Sequence, residues 1–288
     1  MFRIWPLKLI VKLAIGWIPH KHKFLRNLGF FRHGNMDDHS YALRVFQNHF
    51  TRSYPKPLSP EFTALELGPG DSIISGVIAK AHGAHKTYLV DSGDYVTRDT
   101  SLYRALIQKL QESGLECSTD LATITHFDAL LQAYNVEYCT EGLSDLKNIP
   151  DSSVDFIWSQ SVLEHVRKKD FDATMRELHR ILKPGGKMSH SVDLKDHLDY
   201  ALNNLRFPTW FWENEYVARA GFYTNRINYA EIKDILKGAE FVISWEHIDK
   251  WYTLPIKVEK IHRDFKPASE DILKVLRYNF VAEKAALS

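Results

Sequence analysis

A turn carrying two glycines, set between an apolar run and an apolar helical pattern, constrains this chain more than any other feature. It lies within Thr63-Ala64-Leu65-Glu66-Leu67-Gly68-Pro69-Gly70-Asp71-Ser72. A short apolar run bounded by turn residues reads as a buried strand. Glycine at its end lets a ligand reach bare backbone, and a side chain at Gly68 or Gly70 would block that approach or the turn's dihedrals. Taken alone, Gly-x-Gly is equally an ordinary strand-to-helix turn. The residues that follow decide between the two.

Downstream, strand-like and helix-like patterns alternate. Strands are predicted over residues 62–67, 87–90, 136–139, 154–159 and 187–192, with helices over 73–81, 101–113, 122–134 and 171–182 between them. Such alternation implies βαβ units and a parallel sheet with right-handed crossovers. After a helix at 232–236, two further strands at 241–245 and 278–282 read as a closing antiparallel hairpin. The expectation is an α/β, doubly wound, Rossmann-like sheet of seven mostly parallel strands.

Ahead of this domain, Tyr54-Pro55-Lys56-Pro57-Leu58-Ser59-Pro60 cannot continue a helix and reads as a linker. Residues 1–60 are therefore expected to form an N-terminal helical extension or cap, with a helix from about Asp38. Residues 61–288 form the main domain, with a lid insertion at about 198–228. Residues 1–22 are apolar and aromatic but interrupted by Arg3, Lys8 and Lys12, far short of the roughly 20 apolar residues of a membrane span. Lys8 and Lys12 sit one turn apart, with Leu7, Val11, Ala14, Ile15 and Ile18 mostly around the other side and Trp5 and Trp17 flanking. That composition suits a helix lying in a membrane interface, and equally a cap packed on the protein itself or on the second subunit of a homodimer.

The formal net charge of +1 gives no reason to expect nucleic-acid binding. The only cysteines, Cys117 and Cys139, form no CxxC pair, which argues against a disulfide scaffold or zinc ribbon and fits a reducing cytoplasm. Peripheral contact with the inner face of a membrane through residues 1–20 is compatible with that location.

Asp91 ends the second predicted strand, about 20 residues beyond the glycine turn, where a carboxylate can accept both hydroxyls of a ribose. A nicotinamide enzyme and an S-adenosylmethionine enzyme both remain open at this point. Four segments separate them: ALELGPGDS, YLVDSGD, LSDLKNIPDSSVDFIWSQSVLEHV and LHRILKPGGKM. Their order resembles the successive motifs of class I S-adenosylmethionine-dependent methyltransferases, closest to the small-molecule group with a Leu-Glu-His segment after the fourth strand. The resemblance implies that Glu66, Gly68, Pro69 and Gly70 shape the turn around the methionine part of the donor. Asp91 would hold the ribose with Ser92 beside it, Gly142 and Leu143 would border the adenine, and Ser159 and Gln160 would close over the methionine end. The chain departs from the pattern at Ser72, where relatives carry a third glycine. It departs again at Gly142, where they carry an acidic residue; either Glu141 takes that role or backbone groups hold the adenine.

For a hydroxyl acceptor a base must also remove a proton. Strand carboxyl ends hold the ligands of doubly wound sheets, so the stretch from Ser189 to His197 supplies candidates: His190, Asp193 and His197, with Asp196 nearby. His165 of the Leu-Glu-His segment is a rival, since its counterpart in relatives lies near the acceptor. No metal is expected, because magnesium sites favour more carboxylates and zinc wants a further histidine or thiolate beside Asp193 and His197. In the lid, Trp210, Tyr223, Asn225 and Arg226 suit a sugar or other polyol. The reading is methyl transfer to a hydroxyl of a sugar or glycan, as nucleotide sugar or lipid-linked glycan. The alternatives are nitrogen or carbon methylation of another small molecule or lipid headgroup, and a non-catalytic scaffold. The pattern also resembles bacterial methyltransferases associated with surface-polysaccharide synthesis, through the Arg32-His33-Gly34-Asn35-Met36-Asp37-Asp38 loop and the aromatic-Asn-Arg insertion.

Overall fold

A computed structural model describes residues 5–16, 36, 38–56, 58–117, 120–266 and 268–286. Trp17, Ile18, Arg32 to Asn35 and Asp37 lie outside them. Seven strands form one sheet: β1 (Phe62–Leu67), β2 (Ala84–Val90), β3 (Val136–Cys139), β4 (Val154–Gln160), β5 (Leu182–Asp193), β6 (Phe241–Lys250) and β7 (Val275–Lys284). Their spatial order is β3-β2-β1-β4-β5-β7-β6. The first five run parallel, and β7 lies antiparallel to both β5 and β6. The order reverses between β1 and β4, so a crevice opens at the carboxyl ends of these two strands.

Period-two alternation divides the core in two. Along β1, Phe62 and Ala64 face one layer and Leu65 and Leu67 the other. The first layer is filled by helices α2 (His39–Ser53), α3 (Ile74–Ala81), α4 (Thr100–Glu112) and α5 (Phe127–Ala133). The second is filled by α6 (Leu143–Asn148), α7 (Lys168–Ile181) and α8 (Tyr229–Gly238). Asp38 caps α2 by accepting from the amides of Ser40 and Tyr41, and Asn228 opens α8 with a full capping box to Glu231.

Helix α2 is part of this core. It buries Ala42, Val45, Phe46, His49, Phe50 and Ser53, a single stripe at helical spacing. Phe46 meets Phe156 and Trp158 edge-on, and Phe50 stacks on Phe62. Helix α1 (Trp5–Gly16) lies instead on the lid segment. Leu9, with Trp5 and Leu13 beside it, packs against Trp212, Phe207 and Phe211, while Leu7, Ile10 and Val11 remain exposed. Among the described residues, no helix is long and apolar enough to cross a membrane.

Candidate active site

The glycine turn leaves β1 at Gly68 with φ +67°, and Gly70 has φ +70°. Both lie in the left-handed region that favours glycine. At Gly68 a Cβ would come within 2.4 Å of Val162 Cγ2, on the turn that follows β4. The two strand ends therefore close on each other without room for a methyl group. Asp91, at the end of β2, accepts from Gly70 N–H at 3.2 Å and from Ser92 N–H at 2.7 Å. Its carboxylate is thus fixed at the mouth of the turn and half exposed. Gly142, with φ +55°, donates its amide to the Asp91 carbonyl at 2.9 Å and opens α6. Asp145 accepts from the Glu141 amide at 2.6 Å, and the Glu141 side chain points to solvent. Leu143 is half-buried over the second core layer.

Glu66 shapes the turn from behind. It is 2% exposed, accepts from Trp158 Nε1–H at 3.0 Å and from the Ser75 hydroxyl, and so clamps β1 to β4 and α3. Burial pushes its carboxyl up to about 7, held there against these two hydrogen bonds.

Beyond β4 the expected residues part ways, because Ser159 and Gln160 point to opposite faces of the sheet. Ser159 is fully buried, its hydroxyl 2.7 Å from His190 Nδ1 on the neighbouring strand. Gln160 Oε1 turns to His49 Nε2 at 3.2 Å, while His49 Nδ1 meets the Ser189 hydroxyl at 2.8 Å. His190 corrects an expectation: it is fully buried against Phe280 inside the sheet, and burial pulls its imidazole down to about 3. A fully buried ring, turned toward Ser159 and Phe280, is not exposed at the crevice to take an acceptor's proton.

His165 lies at the crevice. The turn Leu163–His165 follows Val162, and Ser161 before it holds a left-handed φ of +54°. His165 Nδ1 lies 2.9 Å from the Tyr223 carbonyl. Since a carbonyl only accepts, Nδ1 carries the hydrogen and the lone pair sits on Nε2. The ring of His197 stands edge-on at 4.8 Å from centroid to centroid. Burial lowers the His197 imidazole, partly opposed by Asp193. Asp193 itself is tied to its own loop, accepting from Lys195 N–H at 3.0 Å and pairing with Lys195 Nζ at 3.3 Å.

The lid overturns most of the expected acceptor contacts. Asn225 is 2% exposed and donates to the carbonyls of Leu163 and Val166, splinting the His165 turn. Arg226 is buried, with φ +61°, and donates to the carbonyls of Phe207 and Asn204. The Tyr223 hydroxyl donates to Glu213 at 2.8 Å. These three side chains hold the lid together, so they are not available to an acceptor. Trp210 alone of the four is exposed, at 77%. The cavity behind the turn, lined by Glu164, Asp193, Thr224 and Arg226 among others, holds about 50 Å³. That is room for a few waters, and the cavity opens to solvent.

Two residues escaped the sequence reading. His49 occupies a stripe position of α2 among Phe46, Phe50 and Ser53, and a lone polar residue on such a stripe was the available signal. Glu164 sits inside the Leu-Glu-His segment and is 2% exposed.

A family model described as "Methyltransferase domain" matches residues 65–189, from β1 to the middle of β5. No curated protein sequence matches the chain. Similar solved structures include an S-adenosylmethionine-dependent methyltransferase from Methanosarcina mazei, at 18% identity and TM-score 0.49, covering 81% of this chain and 97% of that one. A putative methyltransferase from Haloferax volcanii, in complex with the Trm112 activator, shows 16% identity and TM-score 0.45, covering 86% and 96%. A phosphoethanolamine N-methyltransferase from Haemonchus contortus shows 16% identity and TM-score 0.46, covering 85% of this chain and 52% of that one. The matched domain, on this sheet and with these strand ends, defines an S-adenosylmethionine-dependent methyltransferase. S-adenosylmethionine is its methyl donor. The residues present fit that donor: glycine backbone free of side chains at the turn, and a fixed carboxylate where a ribose diol would lie.

Proposed function

We propose that the protein transfers the methyl group to a hydroxyl of a sugar or glycan-type acceptor, with His165 as the base. The supporting observation is the placement of His165: the Tyr223 carbonyl holds its Nδ1–H on the turn that abuts Gly68. Bound there, the donor supplies a methyl group activated by its sulfonium. What remains for the chain is to orient the acceptor, exclude water and take its proton. Gly68, Pro69, Gly70 and Asp91 hold the donor in this reading, with Ser92, Gly142 and Leu143 along its nucleoside side. Ser159 and Gln160 act behind them through His190 and His49.

In this reading the acceptor is met by His165, with the exposed Trp210 as a further apolar face of the lid. The exposed Leu7, Ile10 and Val11 of α1, beside Lys8, favour the lipid-linked version and peripheral membrane contact. Incubation with methyl-labelled donor and a panel of nucleotide sugars, lipid-linked glycans and small amines, followed by mass detection, tests the reading. Label on a glycan oxygen supports it. Turnover of an amine with no glycan product refutes it.

A further inference from the structure

Glu164, on the turn after β4, lines the cavity behind that turn together with Asp193 at the end of β5. Carboxyl ends of parallel strands are where a doubly wound sheet holds its ligands. Glu164 is 2% exposed, and among the described residues neither of its carboxyl oxygens has a hydrogen-bond partner of normal geometry. The backbone amides of Glu164 itself and Asp193 give it only weak support. Asn204, from the lid, lines the same cavity and is also 2% exposed. Its Nδ2 donates to the Thr224 hydroxyl at 3.0 Å, while its Oδ1 has no partner. Three bare acceptor atoms thus belong to buried residues of one cavity that opens to solvent. Buried acceptors left bare are costly, so such a cavity favours a ligand rich in donors.

We propose that this cavity recognises a primary ammonium group, held by Glu164 and Asn204, so that the acceptor of the hydroxyl reading above is an aminated sugar. The second half of that statement rests on the hydroxyl reading; ammonium binding does not. An ammonium carries three donors and no acceptor, the complement of the bare atoms. It is about the size of a water molecule, which the cavity has room for, and the rest of the ligand extends through the opening. Leu202, Phe265, Ile272 and Leu273 supply an apolar wall for the adjoining carbons. The other charges near Glu164 are matched among themselves: Asp193 with Lys195 at 3.3 Å, Arg226 with Glu213 at 3.5 Å and Arg277 with Asp249 at 4.0 Å. A nitrogen of His165 and one of His197 also lie within 4.8 Å of the carboxylate. Burial pushes the Glu164 carboxyl well above the usual range, helped by Asp193 and opposed by Arg277. The empty cavity therefore holds a neutral acid, which loses its proton to solvent as the ammonium arrives and leaves a carboxylate–ammonium pair. A nitrogen held in that form has no lone pair to attack the methyl group, so the amine is recognised while a hydroxyl reacts.

The test is calorimetric titration of the full-length protein with D-glucosamine and with ethanolamine, each beside its amine-free counterpart, D-glucose and ethylene glycol. Repeating it in buffers of different ionisation enthalpy counts the protons released. D-glucosamine should bind at one site per chain with release of a proton, and D-glucose should bind at least about tenfold more weakly. Glu164→Gln should weaken D-glucosamine by at least about tenfold and abolish the proton release. Ile272→Trp, which enlarges a half-buried wall residue and leaves Glu164 in place, should weaken it as well and decides the matter if Glu164→Gln does not fold. No binding of either amine leaves the cavity to water and overturns the proposal, as does D-glucose bound as tightly as D-glucosamine, or affinity unchanged in both variants. Binding of ethanolamine without D-glucosamine keeps the ammonium site and removes the aminated sugar. D-glucosamine binding in a protein that methylates no sugar oxygen would instead refute the hydroxyl reading and leave the ammonium site standing.

Discussion

At the scale of single residues, Gly68 and Asp91 bear opposite kinds of constraint. Gly68 is held by what it lacks: a left-handed φ and a Val162 methyl at 2.4 Å from any added Cβ. Gly68→Ala must move the turn after β4, and with it the start of the His165 segment. Thermal unfolding should show a loss of about 1–3 kcal/mol, and calorimetry should show weaker donor binding; an unchanged melting temperature would contradict the packing described. Asp91 is held by the two amides it accepts, which aim its carboxylate. Both residues were legible in the sequence because backbone conformation and strand-end carboxylates follow from local residue types. His190 was not. Sequence places it one residue from Ser189 and Ser191, and only the register of β5 on β4, Ser159 against His190, decides which face takes the ring.

At the scale of elements, α2 illustrates how an extension becomes structural. Its stripe places Phe46 and Phe50 among Phe62, Phe156 and Trp158, and His49 between Gln160 and Ser189. Phe46→Ala removes a fully buried ring and should cost about 3–5 kcal/mol in chemical denaturation. A cost under 1 kcal/mol would mean that α2 is dispensable. His49 adds a pH dependence. Burial, with a smaller contribution from Arg52, lowers its imidazole from 6.5 to about 4. The unfolded chain therefore binds the proton first as pH falls: the contribution is complete above 6.5 and lost on approach to 4. Between pH 7 and pH 5 wild type should lose about 2 kcal/mol more stability than His49→Gln. Glu66, whose raised carboxyl acts in the opposite sense, is common to both proteins and cancels from the difference. Equal losses would show that His49 is solvated. The strands and main helices were readable because alternation and helical spacing are local; the lid was not. Its Asn225 and Arg226 look like recognition groups, and only tertiary contacts show them spent on the carbonyls of Leu163, Val166 and Phe207.

At the scale of the whole molecule, donor turn, His165 turn, lid and α1 form one continuous chain of contacts. Gly68 meets Val162, Asn225 splints the 163–166 turn, Trp212 and Phe207 of the lid receive Leu9, and Lys12 reaches the His197 carbonyl. An α1 seated on a surface would thus stand one contact from the site. Cosedimentation with anionic vesicles should show binding that falls when Leu7, Ile10 and Val11 are all replaced by serine; equal partitioning of the two proteins would remove the membrane from the account. Calorimetric titration of S-adenosylmethionine tests the proposed donor cradle on β1 and β2 most directly. Wild type should bind one molecule per chain, and Asp91→Ala, with unaltered circular dichroism, should bind it at least about tenfold more weakly through loss of the charged contact. No binding to wild type, or equal affinity in the two proteins, would contradict it.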